Sequence, residues 1–147
     1  MHLVGTRSSR QIFRRDATES LWMFDFLAPR MLSVLRIMAG LLFLEHGTGK
    51  LLGFPLLARV PEVGSLSWIG GFGELIGGAL IVLGLFSRPV AFLLAGEMAV
   101  GYFAEHFPRS FFPALNGGDA AVLYCFVFLM IFCAGPGPWS LDALRRR

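Results

Sequence analysis

Two cysteines, Cys125 and Cys133, are too few for a disulfide framework, and on one helix their Cα atoms would stand roughly 12 Å apart, too far to bond. Both read as small residues of an apolar run. Charge is scarce too: Asp, Glu, Lys and Arg make up 16% of the chain, and the Arg residues crowd its two ends. They do not alternate with aromatics on one face, so the net charge of +3 does not argue for a nucleic-acid surface. His46 and His106 lack a Cys or His partner at ligand spacing, which speaks against a metal centre. A phosphate-binding glycine loop, a Ser-His-Asp order and a Cys-X-X-Cys pair are all missing. Arg7, Arg10, Arg14 and Arg15 precede no long apolar stretch ending in a small-residue cleavage site, so the N-terminal segment does not read as a signal peptide.

What remains is strongly apolar. Of 147 residues 55% are hydrophobic, with fifteen Phe and eighteen Gly, a mixture that suits lipid better than a soluble core. Gly lets helices approach closely in lipid, and Phe adds bulk without polar groups to satisfy. Four windows are long enough for membrane helices, at 31–52, 66–86, 89–106 and 119–135. The expected fold is therefore an all-α, four-helix transmembrane bundle spanning 31–142, after an N-terminal extension (1–30) and before a basic tail (143–147). Gly53-Phe54-Pro55, Ser87-Arg88-Pro89 and the stretch Pro108 to Gly118 supply the breaks. Leu21 to Ala28, with Trp22, Phe24 and Phe26, reads as an interfacial segment before the first span. A soluble four-helix bundle would need a polar stripe on every helix, and Ala120 to Ala134 has none.

Arginine placement predicts orientation. Arg7, Arg10, Arg14, Arg15, Arg30, Arg88, Arg145, Arg146 and Arg147 fall on one side of a four-span chain; Arg59 and Arg109 fall on the other. Both termini are then cytoplasmic and the protein belongs in a bacterial inner membrane. Trp139, beyond the breakers at 135–138, would anchor the tail at the headgroups, and Ser140 would cap a short helical turn.

Ionisable groups inside the spans are the most informative feature, because each costs at least about 2.5 kcal/mol on insertion scales unless it is paired or faces a polar interior. Arg36, Glu45, His46, Glu74 and Glu97 all qualify. A rise of about 1.5 Å per residue puts Arg36 about 8 Å and Glu97 about 12 Å above their inner ends, which predicts an inner Arg36–Glu97 pair. Glu74 then falls level with His46 in an outer cluster with Lys50 and His106, while Glu45 points the other way. Asn116 and Asp119 lie at the outer boundary, either starting the fourth helix or meeting a ligand. Gly70, Glu74 and Gly78 share one face, and Glu97, Gly101 and Ala104 repeat the device on the next helix. The candidate ligand or proton site comprises Arg36, His46, Lys50, Glu74, Glu97, His106, Asn116 and Asp119, with Phe43, Phe72 and Tyr102 to flank a ring. Buried ion pairs that serve packing alone are the competing reading.

The stretches Arg36 to Lys50, Gly70 to Gly78, Gly84 to Pro89, Glu97 to Phe103 and Asn116 to Asp119, in that order, resemble the DoxX family of small bacterial membrane proteins. The resemblance runs from about Met31 to Asp142. It implies a four-helix membrane fold and a link to redox chemistry, since relatives are similar to a subunit of a thiosulfate:quinone oxidoreductase and others associate with oxidative-stress enzymes. It carries no catalytic residues across. The reading that follows is an accessory membrane subunit with redox-enzyme partners, whose polar site receives a quinone headgroup or a small sulfur or oxygen species. The alternative is a small proton-coupled transporter, which four helices would support only as a homodimer.

Overall fold

The computed structural model of the chain describes residues 9–58 and 60–145, with side chains from Phe24 onward. Expectations for Arg7, Arg59, Arg146 and Arg147 and for the side chains of Arg10, Arg14, Arg15 and Trp22 lie outside the described residues. Among those described, every regular element is helical. α1 (Ser9–Leu52) forms the first rod; α2 (Leu66–Phe72), a π-helical turn (Gly73–Gly77) and α3 (Gly78–Leu83) form the second. α4 (Ser87–Gly101), continued by a second π turn (Tyr102–His106), forms the third, and after the short α5 (Pro113–Asn116) α6 (Asp119–Ala134) forms the fourth. α7 (Leu141–Leu144) is a single terminal turn.

Phe24–Leu52 and Leu66–Leu83 are long and apolar enough to cross a membrane, and 28% of each apolar window is buried within the chain. The rest of each face needs another apolar medium. Met38, Leu42, Ile69, Ile76, Phe92, Leu93, Phe103, Leu123 and Phe126 all stand exposed, an apolar surface far larger than water-soluble monomers show. α6 is apolar but only 16 residues long, and the third rod carries Arg88, Glu97 and Glu105.

α1 packs on the second rod, α4 packs on α6, and the second and third rods join the two halves. The core is Ala39, Phe43, Ile81, Ala91, Leu94, Ala95, Phe128 and Ile131. Phe43 sits edge-on to Phe128 at 4.9 Å, which ties the first rod to the fourth. The first two rods approach until their backbones touch: a Cβ on Gly47 would lie 2.4 Å from the Leu75 amide nitrogen, and one on Gly78 2.8 Å from that of Leu44. Only glycine permits that spacing.

Two boundaries differ from expectation. α1 runs unbroken through Pro29, so no helix break separates an interfacial segment from the first span. The tight turn falls at 84–86 rather than at Ser87-Arg88-Pro89: Gly84 and Phe86 both adopt positive φ, and Ser87 already begins α4. Pro89 is accommodated in the first turn of that helix, where its missing N–H is not needed.

The tail explains this turn. Asp142 accepts hydrogen bonds from the amides of Phe86 (2.9 Å) and Ser87 (2.8 Å), and so caps α4 from 55 residues away. Ser140 caps α7 by accepting from the Ala143 amide, as the sequence suggests. Burial works to raise the Asp142 carboxyl, but hydrogen bonds from Ser87 and Phe86 and the charge of Arg145 outweigh it and hold it below the usual carboxylate range. A depressed carboxyl contributes stability above its unfolded pKa and loses it as pH falls through the folded one. The thermal midpoint should therefore fall below about pH 4, whereas Asp142→Asn should already be about 2 kcal/mol less stable at neutral pH and flatter in acid. Identical acid limbs for the two proteins would contradict the cap.

Candidate functional site

Lys50 closes the last turn of α1 and lies over Gly71, whose missing side chain leaves room for its stem. Its ammonium donates to Glu74 Oε1 at 2.6 Å, the one ion pair within 4 Å among the described residues. Glu74 is 3% exposed and sits in the π turn of the second rod. Such a turn inserts a residue into the helix and re-aims the side chains around it, and π turns recur at functional sites.

Glu97 comes from α4 and lays its carboxylate over two glycines of the second rod: a Cβ on Gly70 would lie 3.1 Å from Oε1, and one on Gly73 would collide with Oε2. Glu97 feels the charges of both Glu74 and Lys50. The cluster thus holds one ammonium against two carboxylates. Glu74 Oε2 and Glu97 Oε1 are both buried with no hydrogen-bond partner. Buried acceptors in a low-dielectric site cost free energy until a donor arrives, so the arrangement suits a ligand hydroxyl, a proton or a cation.

The expected Arg36–Glu97 pair does not form. The Arg36 guanidinium is fully buried and donates to four backbone carbonyls: Ile81, Val82 (2.7 Å), Pro136 (2.8 Å) and Trp139. It caps the C-terminal end of the second rod and ties the tail to it. Helix ends leave carbonyls without partners, and an arginine fork satisfies several at once. Depth along the helices placed Arg36 and Glu97 near one level but could not see that competing demand.

His46 and His106 also stand apart from the cluster's hydrogen bonds. His46 is exposed, pairs through Nδ1 with its own Leu42 carbonyl at 2.8 Å, and meets Tyr124 edge-on. His106 pairs through Nδ1 with the Asn116 carbonyl at 3.1 Å, in a loop network at the C-terminal end of the third rod. There the buried Asn116 accepts from the Gly118 amide at 2.7 Å and donates to the Ser110 carbonyl at 2.7 Å. Asn116 thereby orders the approach to α6; Asp119 is exposed in the first turn of that helix. Glu45 is exposed, as its helical phase predicts. The proposed ring-flanking residues do not converge: Phe43 is core, Phe72 packs on Trp68, and the Tyr102 hydroxyl donates to Phe111. Gly101 faces open space within the chain, so the small-residue device expected on the third rod is absent there.

Sequence reasoning missed the other end of the bundle. Arg88 donates to the Phe132 (2.7 Å) and Cys133 (2.9 Å) carbonyls and so caps α6 as Arg36 caps the second rod. The Trp139 amide donates to Ser33 Oγ. Arginines in helix-end positions were the available signal, but they read equally well as topology markers. As a result Arg36, Arg88 and Arg145 gather at one end, with Arg109 beyond the other end of the third rod.

A family model described as DoxX matches residues 31–106. That stretch contains Arg36, Lys50, Glu74 and Glu97 and ends at His106. A protein of Haemophilus influenzae, named only as uncharacterized, is 40% identical over 120 residues, covering 78% of this chain and 90% of its own. No solved structure matches.

Proposed function

The chain belongs to the DoxX family of membrane proteins, and from that premise we propose that it is an accessory membrane subunit of a redox system whose Lys50–Glu74–Glu97 cluster receives the polar headgroup of a quinone. The observation that carries this reading is the pair of buried carboxylate oxygens without donors beside a single ammonium. Lys50 would donate to a headgroup oxygen, and the free oxygens of Glu74 and Glu97 would accept from a hydroxyl or hold the proton that leaves it. Sites of this kind in helix bundles lie between rods, where facing side chains converge.

In this reading four rods cross a bacterial inner membrane with both termini cytoplasmic. Support comes from the end of the bundle that gathers Arg36, Arg88 and Arg145, as the positive-inside rule requires. A Cys introduced at the exposed Ala114 should react with an impermeant thiol reagent from the periplasmic side. Labelling only after the cytoplasmic side is opened would refute the orientation while leaving the cluster untouched.

The ligand is tested with purified protein and a soluble ubiquinone analogue, following tryptophan emission. Trp68 stands in the same rod as Glu74, two residues before Gly70. Emission should change saturably, and Glu97→Gln should weaken binding by about tenfold, the loss of one charge-assisted hydrogen bond. Unchanged emission at saturating analogue with intact fold rejects the quinone. A proton flux in proteoliposomes that vanishes in Glu97→Gln would instead favour the transporter.

A further inference from the structure

At the end of the bundle away from Lys50, a cavity of about 250 Å³ opens between the start of α4 and the tail. Phe86, Arg88, Pro89, Pro136, Asp142 and Arg145 line it. We propose that this cavity binds the phosphate of an anionic phospholipid headgroup. The proposal rests on the membrane reading alone and is independent of any redox role for the Lys50 cluster.

Charge is the first argument. Two guanidinium groups face one carboxylate across the cavity, and both oxygens of that carboxylate are turned to the Phe86 and Ser87 amides. Among the described residues that line it the surplus is one positive charge, and the buried Arg36, which also acts on Asp142, adds to the positive field that a phosphodiester would meet. The Arg88 guanidinium is held in place through Nη1 by the Phe132 and Cys133 carbonyls, and among the described residues its other N–H groups meet no acceptor. Arg145 lies over the Phe86 ring at 5.4 Å and is otherwise exposed. A fixed fork and an exposed one can take two edges of a single phosphate, the geometry at which arginine surpasses lysine.

Shape and place are the second. The cavity is broadly open, and its apolar lining from Phe86 and the two prolines suits the glycerol and first methylenes that follow a headgroup phosphate. It lies at the ends of the rods, where headgroups sit when the apolar rod faces are in lipid, and basic pockets between helices at this level recognise anionic lipids.

The test uses the full-length protein in a nonionic detergent, titrated with phosphatidylglycerol or phosphatidylcholine in mixed micelles, with bound lipid read by native mass spectrometry. Phosphatidylglycerol should be retained in preference to phosphatidylcholine, and added salt should weaken it. Arg145→Gln, a change at an exposed side chain, should lose about fivefold in affinity, the effect of one surface Arg on an anionic lipid. Arg109→Gln, at the opposite end, should lose nothing. Equal retention of the two lipids, or phosphatidylglycerol binding that survives Arg145→Gln, would overturn the proposal. Displacement of the lipid by inorganic phosphate alone, at the affinity of the lipid itself, would reassign the cavity to a free anion. The salt titration of the unmodified protein decides the electrostatic part even if a variant misfolds.

Discussion

Arg36→Met should lower the stability of the detergent-solubilised protein by about 4 kcal/mol, taking four carbonyl acceptors at about 1 kcal/mol each. The carbonyls of Val82, Pro136 and Trp139 would lose the Arg36 donor and that of Ile81 would keep only the Gly84 amide, inside a region that admits little water. Arg36→Lys should fall between, since an ammonium keeps the charge but cannot reach four acceptors in a plane. The informative variant is the double one. If Arg36 were the partner of Glu97, adding Glu97→Leu would relieve a stranded charge and restore stability. The structure places the two in separate networks, so Glu97→Leu should change stability by the same amount in the wild type and in Arg36→Met. Chemical or thermal unfolding of the wild type, the three single variants and the double variant measures it. A gain from Glu97→Leu that is found only beside Arg36→Met would mean that the carbonyl cap is not what holds Arg36.

Lys50→Met should be comparably damaging for a different reason. It leaves Glu74 and Glu97 facing each other with no cation, and breaking a buried pair by removing one partner costs about 3–5 kcal/mol. Replacing the whole cluster, with Lys50→Met, Glu74→Leu and Glu97→Leu together, should recover most of that loss, because an apolar cluster of similar volume carries no desolvation penalty. Stability alone would then suggest that the charges are dispensable. The ligand titration of the same triple variant separates the readings: a stable protein that no longer binds the quinone analogue shows a site kept for chemistry. One that binds as well as wild type shows a packing cluster. A loss of less than about 1 kcal/mol in Lys50→Met would place the pair in water and remove the premise of both.

The helices were legible in the sequence because lipid-facing chains advertise themselves through uninterrupted apolar runs, with breaks at glycine and proline. The ends were less so. The turn at 84–86 depends on Asp142, which lies 55 residues further on and enters the turn as a cap only once the tail folds back. The exposure of Glu45 and the burial of Glu74 followed from helical phase and flanking glycines. The partner of Glu97 did not. A regular helix puts Gly70, Glu74 and Gly78 on one face, but the π turn at Gly73–Gly77 shifts the phase between them. Gly78 then packs on Leu44 of α1, Gly70 and Gly73 receive Glu97 from α4, and Glu74 reaches Lys50.

By itself, then, the sequence determined what each residue could not do: isolated charges could not face lipid, and bulky side chains could not stand where rods touch. Which charge met which was decided only in the tertiary structure. Hydropathy and helical period are local properties of a segment, whereas an ion pair depends on the relative phase of two segments and on every acceptor competing for the same donor. Arg36 is taken up by two carbonyls at a helix end and two in the tail rather than by a carboxylate, and that leaves Glu97 to Lys50 and Glu74.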